Sequence, residues 1–375
     1  MKKNHLHLGK ILGIPIGIDY SWFLIFFLLS WVLATTYYPA EYKHWNQIEY
    51  WIAGTLTSLL LFGSVLLHEL GHSIIAIKYK IKVREINLFI FGGISEISGE
   101  PPKASSEFWI AIAGPVVSLL LAGIFFILEK DIHVFLLTAL FEYLAFINFI
   151  LAIFNLIPGF PLDGGRVFRA IIWGISKNFK KATSVAVTAG RLFGFLFILF
   201  GVYQIFGGNI LDGLWISFIG WFLDNAAVSQ LQEQKVHDLL TGHKVYEAMS
   251  QDYGIVSHDS TLQEVIDNNF LGINRRALFV RKDNKIAGLI TLHRFNIVAK
   301  DQWDNTFVDD VMIPISNAEK TSADAEIWDA MTKLNSEGVN QLPVINNGEV
   351  EGIFSRDNVI SFIADLRTHA NNGKT

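Results

Sequence analysis

The sequence has 375 residues, of which 51% are hydrophobic and 17% are charged, and it includes 30 Phe and 10 Trp. This composition is typical of a polytopic membrane protein and argues against a soluble one. The net charge of −5, without a long basic run, gives no reason to expect a nucleic-acid partner. The lack of cysteine excludes disulfides and leaves histidines and carboxylates to bind any metal.

Six apolar runs approach the roughly 20 residues that a helix needs to cross a bilayer. They are residues 17–38, 50–77, 107–128, 133–157, 190–206 and 210–228. No small-residue cleavage site follows the first run, so we expect an uncleaved first span. The expected fold is an α-helical polytopic membrane domain of about six transmembrane helices, followed by a soluble α/β domain.

Basic residues indicate the orientation of these spans. They follow the second run at Lys78, Lys80 and Lys82, and they are frequent between the fourth and fifth runs. By the positive-inside rule, we expect both termini and the soluble domain in the cytoplasm of a multi-pass protein of the cell membrane.

The second run contains His68, Glu69 and His72 in an otherwise apolar stretch. Residues four apart share one face of a helix, so both histidines can bind one Zn²⁺ while Glu69 acts on a water molecule as general base. Two core histidines and a paired glutamate are the alternative. Ionisable groups inside a membrane are costly without such a role, and this favours the metal site.

Residues 83–100 are rich in strand-forming side chains interrupted by Gly92, Gly93 and Gly99. This pattern predicts a β hairpin or a re-entrant sheet between the second and third spans. Its open edge could hold an extended peptide, or the segment could simply link two spans.

The fourth run ends in Asn155-Leu-Ile-Pro-Gly-Phe-Pro-Leu-Asp163-Gly-Gly, where prolines and glycines break the helix. We therefore expect Asp163 on an unwound segment at the depth of the histidines. A catalytic zinc takes three protein ligands, and Asp163 is the best-placed third ligand. An ordinary capping or turn aspartate is the alternative. Asn155 could donate to a developing oxyanion or satisfy freed carbonyls.

These motifs, with Ala113-Gly114-Pro115 between them, resemble the site-2 protease family of intramembrane zinc metalloproteases over about residues 10–230. The resemblance implies that His68, His72 and Asp163 bind zinc, that Glu69 activates water, and that Asn155 is the family's motif asparagine. It also implies substrates that are membrane proteins with a transmembrane segment. Ser118 stands where some relatives have Asn.

The last third of the chain contains an internal repeat at an offset of 63 to 64 residues. Val245–Met249 matches Val308–Met312, and Gly288-Leu-Ile-Thr291 matches Gly352-Ile-Phe-Ser355. Each copy is expected to contain short helices and a strand pair, around Asn284 in one copy and Asn347-Gly348 in the other. Neither copy has much core alone, so the two should pack as a pair.

The repeat resembles a tandem CBS module, which divides the chain into a membrane domain (1–230), a linker (231–243) and two repeats (244–301 and 302–375). The resemblance implies binding of ATP, ADP or AMP through Ser355, with Asn358 in the acidic position and Asp357 beside it. In the first copy Thr291 matches, but Arg294 replaces the acidic residue. A homodimer through these domains, without ligand, is the alternative.

The sequence therefore predicts a zinc-dependent intramembrane endopeptidase regulated by adenine nucleotide. The alternative is a membrane transporter or channel that is gated by the CBS pair and uses the intramembrane His/Glu/Asp cluster as an ion pathway.

Overall fold

The structure is a computed structural model that describes residues 5–90, 92–99, 101–132, 134–270, 277–346 and 349–372. The chain forms two compact units, residues 2–234 and residues 235–375. Each is described by itself.

The first unit begins with a β hairpin that the sequence analysis did not predict, β1 (His5–Ile11) and β2 (Ile14–Asp19). Asp19 then caps the first helix by accepting a hydrogen bond from the Ser21 amide at 2.9 Å. This helix consists of α1 (Tyr20–Val32), a π-helical turn (Leu33–Tyr37) and α2 (Tyr38–Glu41).

Long helices make up the remainder of this unit. They are α3 (Gln47–Lys78), α4 (Ala104–Asp131), α5 (Phe135–Asn155), α6 (Asp163–Ser176), α7 (Phe179–Phe206) and α8 (Ile210–Leu240). Among the described residues, five helices are long and apolar enough to span a membrane, namely Tyr20–Glu41, α3, α4, α5 and α7. The sixth predicted span lies in α8, which is not among these five; its apolar stretch is interrupted by Asp212 and Asp224.

Two further strands confirm the predicted hairpin between α3 and α4. They are β3 (Lys82–Phe89) and β4 (Gly92–Ser98), which pair antiparallel. Because β3 also pairs parallel to β2, with Ile16 opposite Ile86, the four strands form one sheet in the order β1-β2-β3-β4. One face of this sheet packs on α3 through buried apolar side chains, among them Ile16, Ile86 and Leu70. The sheet thus holds β4 beside the His68–His72 turn of α3.

The segment that carries Asp163 differs from the expectation. The non-helical stretch ends at Leu162, and Asp163 is the first residue of α6. Glycines permit close backbone contacts here: a Cβ atom on Gly164 would lie 2.3 Å from the Leu156 carbonyl, and one on Gly165 would lie 2.4 Å from Gly159. The chain therefore folds back over the start of α6 and fixes the position of Asp163.

The second unit contains the two repeats. The first consists of α9 (Val245–Ala248), β5 (Gly254–Ser257), α10 (Leu262–Val265), β6 (Ala277–Lys282), β7 (Lys285–Thr291) and α11 (Leu292–Phe295). The second consists of α12 (Val308–Val311), β8 (Ile313–Pro314), α13 (Ile327–Ser336), β9 (Gln341–Asn346), β10 (Glu349–Ser355) and α14 (Arg356–Asn372). The predicted turn at Asn284 has the positive φ angles of a tight hairpin at Asp283 and Asn284, whereas Asn347-Gly348 lie outside the described residues.

The two repeats exchange their first segments. Strand β8 of the second copy pairs with β7 of the first, with Ile313 opposite Leu289. Reciprocally, Ser250 of the first copy bridges to Ile353 in β10 of the second. Each sheet is thus completed by the other copy, as the shortage of core in a single repeat led us to expect.

Candidate metal centre

His68 and His72 lie one turn apart on α3, and both are buried, with 5% and 4% of their surfaces exposed. Their Nε2 atoms are 3.2 Å apart. A capping box between Asn46 and Glu49 satisfies backbone amides at the start of α3 and stabilises the helix on which both rings lie.

Asp163 completes the group. Its Oδ2 lies 3.1 Å from Nε2 of His68 and 3.1 Å from Nε2 of His72. Among the residues that the structure describes, these three form the group of histidines and carboxylates that could hold a metal ion.

The hydrogen-bond partners of the two Nδ1 atoms indicate the tautomer of each ring. They therefore indicate whether Nε2 presents a lone pair to the centre of the group. Nδ1 of His72 lies 2.7 Å from the Ile110 carbonyl oxygen, which can only accept, so Nδ1 carries the proton. Nδ1 of His68 lies 2.8 Å from Oγ of Ser118, to which it can donate in the same way. In neutral rings both Nε2 atoms then face a carboxylate oxygen as acceptors, an arrangement that a bound cation would stabilise.

Without an ion, the two rings would take the opposite role. Burial raises the pKa of the Asp163 carboxyl, but the charge of a protonated His72 and hydrogen bonds donated by both rings hold that pKa well below its usual range. In the carboxylate form Asp163 can bind a metal.

Size and donor chemistry fit a zinc ion. Ligand atoms around tetrahedral zinc lie roughly 3.3 Å apart when the bonds are about 2.0–2.1 Å, close to the 3.1–3.2 Å separations found here. Gly114 on α4 leaves the necessary space, because a Cβ atom there would lie 2.2 Å from Nε2 of His72 and 2.5 Å from Nε2 of His68. Two imidazoles and one carboxylate are a donor set of catalytic zinc sites, with a position left for water.

Glu69 is outside the trio and is held by β4. Oγ of Ser95 donates to Oε2 of Glu69 at 2.6 Å, and Ser73 donates to the Ser95 hydroxyl at 3.3 Å. A Cβ atom on Gly93 would lie 2.6 Å from Cγ of Glu69, so β4 passes directly over this side chain. The hairpin predicted as a link or a peptide-binding edge thus contacts the candidate base.

Asn155 is the last residue of α5 and is half-buried. The described part of the structure gives its side chain no hydrogen bond and does not include it in the ligand trio. Its assignment as an oxyanion donor stays a prediction.

Four groups at the site were assigned no role there from the sequence. Two were not considered, the Ile110 carbonyl and the Ser95 hydroxyl. Gly114 was interpreted with its Ala-Gly-Pro motif as a feature of helix packing, and Ser118 was noted only as a departure from relatives. No local pattern identifies such partners, because each is brought to the site by a different element.

In the second unit, the residues proposed for nucleotide binding lie at the starts of two helices. Oγ of Ser355 is 2.6 Å from Oδ1 of Asn358, and the Asn358 amide donates back to Oγ at 3.3 Å, so the pair caps α14. Asp357 is exposed, and Thr291 precedes α11 without a side-chain cap bond. The structure gives a capping role to Ser355 and Asn358, and the nucleotide role of all four stays a prediction.

Comparison with known proteins covers both units. The family model described as Peptidase family M50 matches residues 56–133 and 129–200, and the one described as CBS domain matches residues 308–365. The latter match confirms the prediction of a CBS module and falls on its second repeat.

Two relatives match along nearly the whole chain. A Synechocystis protein named "Putative zinc metalloprotease sll0528" is 32% identical over 364 residues, which cover 95% of this chain and 95% of the relative. "Zinc metalloprotease MJ0392" of Methanocaldococcus jannaschii is 27% identical over 370 residues, which cover 96% of each chain. A solved structure titled "Site-2 Protease from Methanocaldococcus jannaschii" is 31% identical, covers 60% of this chain and 95% of its own, and superposes with a TM-score of 0.43.

Proposed function

The chain belongs to peptidase family M50, the site-2 protease family of zinc metalloproteases, and from this premise we propose that it hydrolyses peptide bonds in or near transmembrane segments of membrane-protein substrates. One observation carries the proposal: the buried imidazoles of His68 and His72, on a helix of membrane-spanning length, converge with the Asp163 carboxylate of α6 to within 3.2 Å of one another. The named relatives are metalloproteases, and this favours a peptidase over the transporter or channel alternative.

His68, His72 and Asp163 would hold the zinc ion. When bound, zinc supplies a Lewis acid that polarises the scissile carbonyl and makes water acidic enough to lose a proton near neutral pH. The Ile110 carbonyl and Ser118 keep both rings in the tautomer that points Nε2 at the ion.

Glu69 is the proposed general base. Its carboxylate takes the proton from the attacking water and delivers it to the nitrogen of the leaving amine, so it serves as base and then as acid. The Ser95 hydroxyl, 2.6 Å from Oε2, fixes the direction of the carboxylate during both transfers. Asn155 is proposed as a donor to the oxyanion.

The edge of β4 is the proposed binding place for the substrate backbone. A transmembrane helix satisfies its own hydrogen bonds, so it must unwind locally before a peptide bond can be attacked. Strand β4 is the last in the order β1-β2-β3-β4 and lies over Glu69, so an unwound segment added there would pass beside the catalytic groups.

The protein is an integral membrane protein by family and by the five apolar helices found in the described part of the chain. We further propose the cell membrane as its location, with both termini and the CBS module in the cytoplasm, because basic residues flank the spans on that side. Adenine nucleotide is the proposed regulatory ligand of the CBS module, through Ser355, Asp357 and Asn358 with Thr291 in the first copy. A homodimer through the module is the proposed alternative role.

Substitution of the base separates catalysis from metal binding. We expect Glu69→Gln to lower cleavage of a transmembrane substrate by at least about 100-fold, the contribution of a general base, while the purified protein keeps its zinc. His68→Ala is expected to lose both. The measurement compares wild-type and variant cells by mass spectrometry of membrane-protein fragments, with zinc content determined on the purified proteins. Full turnover by Glu69→Gln would refute the proposal.

A further inference from the structure

A buried ion pair lies behind the metal centre. Glu107 near the start of α4 is completely buried, and Arg169 in the middle of α6 is 7% exposed. Nε of Arg169 donates to Oε1 of Glu107 at 2.7 Å, and Nη2 donates to the same oxygen. Removing two charges from water costs free energy, so a buried ion pair is weak evidence for a contribution to stability. Its presence here suggests a more specific role.

The hydrogen bonds of this pair are not those of the most favourable arrangement. A guanidinium and a carboxylate bind best when two parallel bonds reach two oxygens. Here one oxygen accepts both bonds, and Oε2 of Glu107 is buried without a hydrogen-bond partner among the described residues. The pair therefore joins α4 and α6 through a single carboxylate oxygen of Glu107.

Aromatic rings hold the guanidinium in place. Its Cζ lies 4.8 Å from the ring centre of Phe160 and 4.7 Å from that of Phe179. Phe160 belongs to the non-helical stretch that leads into Asp163, and Phe179 begins α7. From its place in α6, Arg169 is thus in contact with three other parts of the fold: α4, the stretch before α6 and α7.

Each end of the pair is connected to the metal centre by a short length of rigid helix. Glu107 is one turn before Ile110, whose carbonyl orients His72, and both precede Gly114 on α4. Arg169 is six residues after Asp163 on α6. A shift of α6 along α4 would move the aspartate relative to both imidazoles, whose distances from it are now equal at 3.1 Å.

We propose that Glu107 and Arg169 are positioning residues for the metal centre, which hold Asp163 at bonding distance from an ion shared with His68 and His72. This inference rests on the proposed function, since it assumes that the three side chains bind zinc. Neither residue touches the ion or the substrate. Their effect on catalysis is exerted through the position of α6.

The test uses the full-length protein purified in detergent, with Glu107→Gln and Arg169→Gln as the variants. Zinc affinity is measured by competition with a chelating dye, and ligand geometry by the visible absorption of the cobalt-substituted protein. Loss of groups that orient metal ligands typically lowers affinity by about 10–100-fold. We expect a loss in this range for both variants, together with a changed cobalt spectrum, and a partial recovery in Arg169→Lys, which keeps the charge but not the planar fork.

Arg191→Gln is the matched control. It breaks another arginine–carboxylate pair between helices of the same unit, with Asp224 at 2.8 Å, but that pair is largely exposed. We expect wild-type affinity and spectrum. If Glu107→Gln does not fold, Glu107→Asp decides, because it keeps the charge and withdraws the carboxylate by one methylene: weakened zinc binding supports the proposal and wild-type binding refutes it.

A purely structural role gives a different result. The variants would then unfold at lower temperature, while the folded protein would keep the wild-type zinc affinity and cobalt spectrum, and the proposal would be wrong. Wild-type protein that binds zinc but cleaves no membrane protein would refute the proposed function alone. The two failures are therefore distinguishable.

Discussion

At position 114 a single methyl group would compete with the metal site for space. A Cβ atom there would lie 2.2 Å from Nε2 of His72, whereas one on Gly123 of the same helix would have no neighbour within 4 Å. Alanine favours a helix over glycine, so Gly123→Ala should be neutral or slightly stabilising. We expect Gly114→Ala to bind zinc at least about 100-fold more weakly and to lose cleavage, because two ligands are displaced. Zinc titration of both purified variants measures this, and tight binding by Gly114→Ala would contradict it.

Ser95 offers a second prediction at this scale. Its hydroxyl donates to Oε2 of Glu69 at 2.6 Å, and without it the carboxylate has more freedom to turn away from the attacking water. We expect Ser95→Ala to lower kcat roughly 10-fold, about the value of one hydrogen bond to a charged group, with zinc content unchanged. Ser95→Thr keeps a hydroxyl and should recover part of the rate. Equal kcat for Ser95→Ala and wild type would show that β4 does not orient the base.

Spacing along the sequence predicts which residues of one helix lie together at the metal centre, but it does not predict their partners on other helices. The four-residue separation of His68 and His72 determines that they share a face, so their proximity follows from helix geometry alone. Ser118 is 50 residues from His68, and Ile110 is 38 residues from His72. Their contact depends on how α4 packs against α3, which no local pattern encodes.

At the scale of elements, the sequence predicts the end of α5 correctly but not the start of α6. Prolines and glycines after Asn155 correctly predict the end of α5. Two of the same glycines, Gly164 and Gly165, lie inside the next helix. A Cβ atom added to either would lie only 2.3–2.4 Å from the backbone of Leu156 or Gly159, so these positions require glycine for close packing. The expectation of an unwound Asp163 was wrong because glycine was interpreted as a breaker where its role is close packing.

The crossing of this stretch over α7 yields a prediction. A Cβ atom on Gly190 would lie 2.1 Å from the Phe160 carbonyl oxygen, a backbone atom that cannot move away easily, while one on Gly174 would approach nothing closer than 3.8 Å. We expect Gly190→Ala to destabilise the protein by about 1–3 kcal/mol and to reduce cleavage, despite its better helix propensity. Thermal unfolding in detergent, with Gly174→Ala as control, tests this. Unchanged stability of Gly190→Ala would mean that the crossing is looser than the structure indicates.

Local sequence patterns predict one hairpin of the four-stranded sheet but not the pairing between strands that are distant in sequence. The hairpin of β3 and β4 follows from strand propensity and glycine positions between two spans. Strand β2 pairs with β3 across a sequence separation of 70 residues, from Ile16 to Ile86. Such pairing depends on the packing of both strands on α3, so it was not predictable from local residues. The hairpin of β1 and β2 is different, because it closes through a two-residue turn at Leu12 and Gly13, a local signal that the sequence analysis missed.

At the scale of the molecule, the two units separate the proposed chemistry from its proposed regulation. All three metal-binding candidates belong to residues 2–234, and the nucleotide candidates belong to residues 235–375. We expect a chain ending at Gln234 to retain cleavage that a zinc chelator stops, and to lose any change in rate caused by AMP, ADP or ATP at millimolar concentration. The full-length protein, assayed in parallel, serves as control. A full-length rate that ignores all three nucleotides would contradict the regulatory role.

Composition and the internal repeat predict the molecule well at this scale: a membrane part of long apolar helices and a paired module after it. The weaker point is the last span, since α8 contains an apolar stretch with two aspartates. Hydropathy reflects average composition, and two aspartates within one apolar stretch lower that average.

The reciprocal strand exchange has a consequence for biosynthesis. Strand β7 pairs with β6 on one side, but its other edge gains a neighbour only when Ile313 has been translated, so the nascent first repeat exposes an unpaired strand edge on the ribosome. The second repeat meets no such delay, because Ser250 is already available when Ile353 emerges. A message that stops between the two copies should therefore yield an aggregation-prone product that quality-control proteases remove, whereas complete translation closes both sheets almost together.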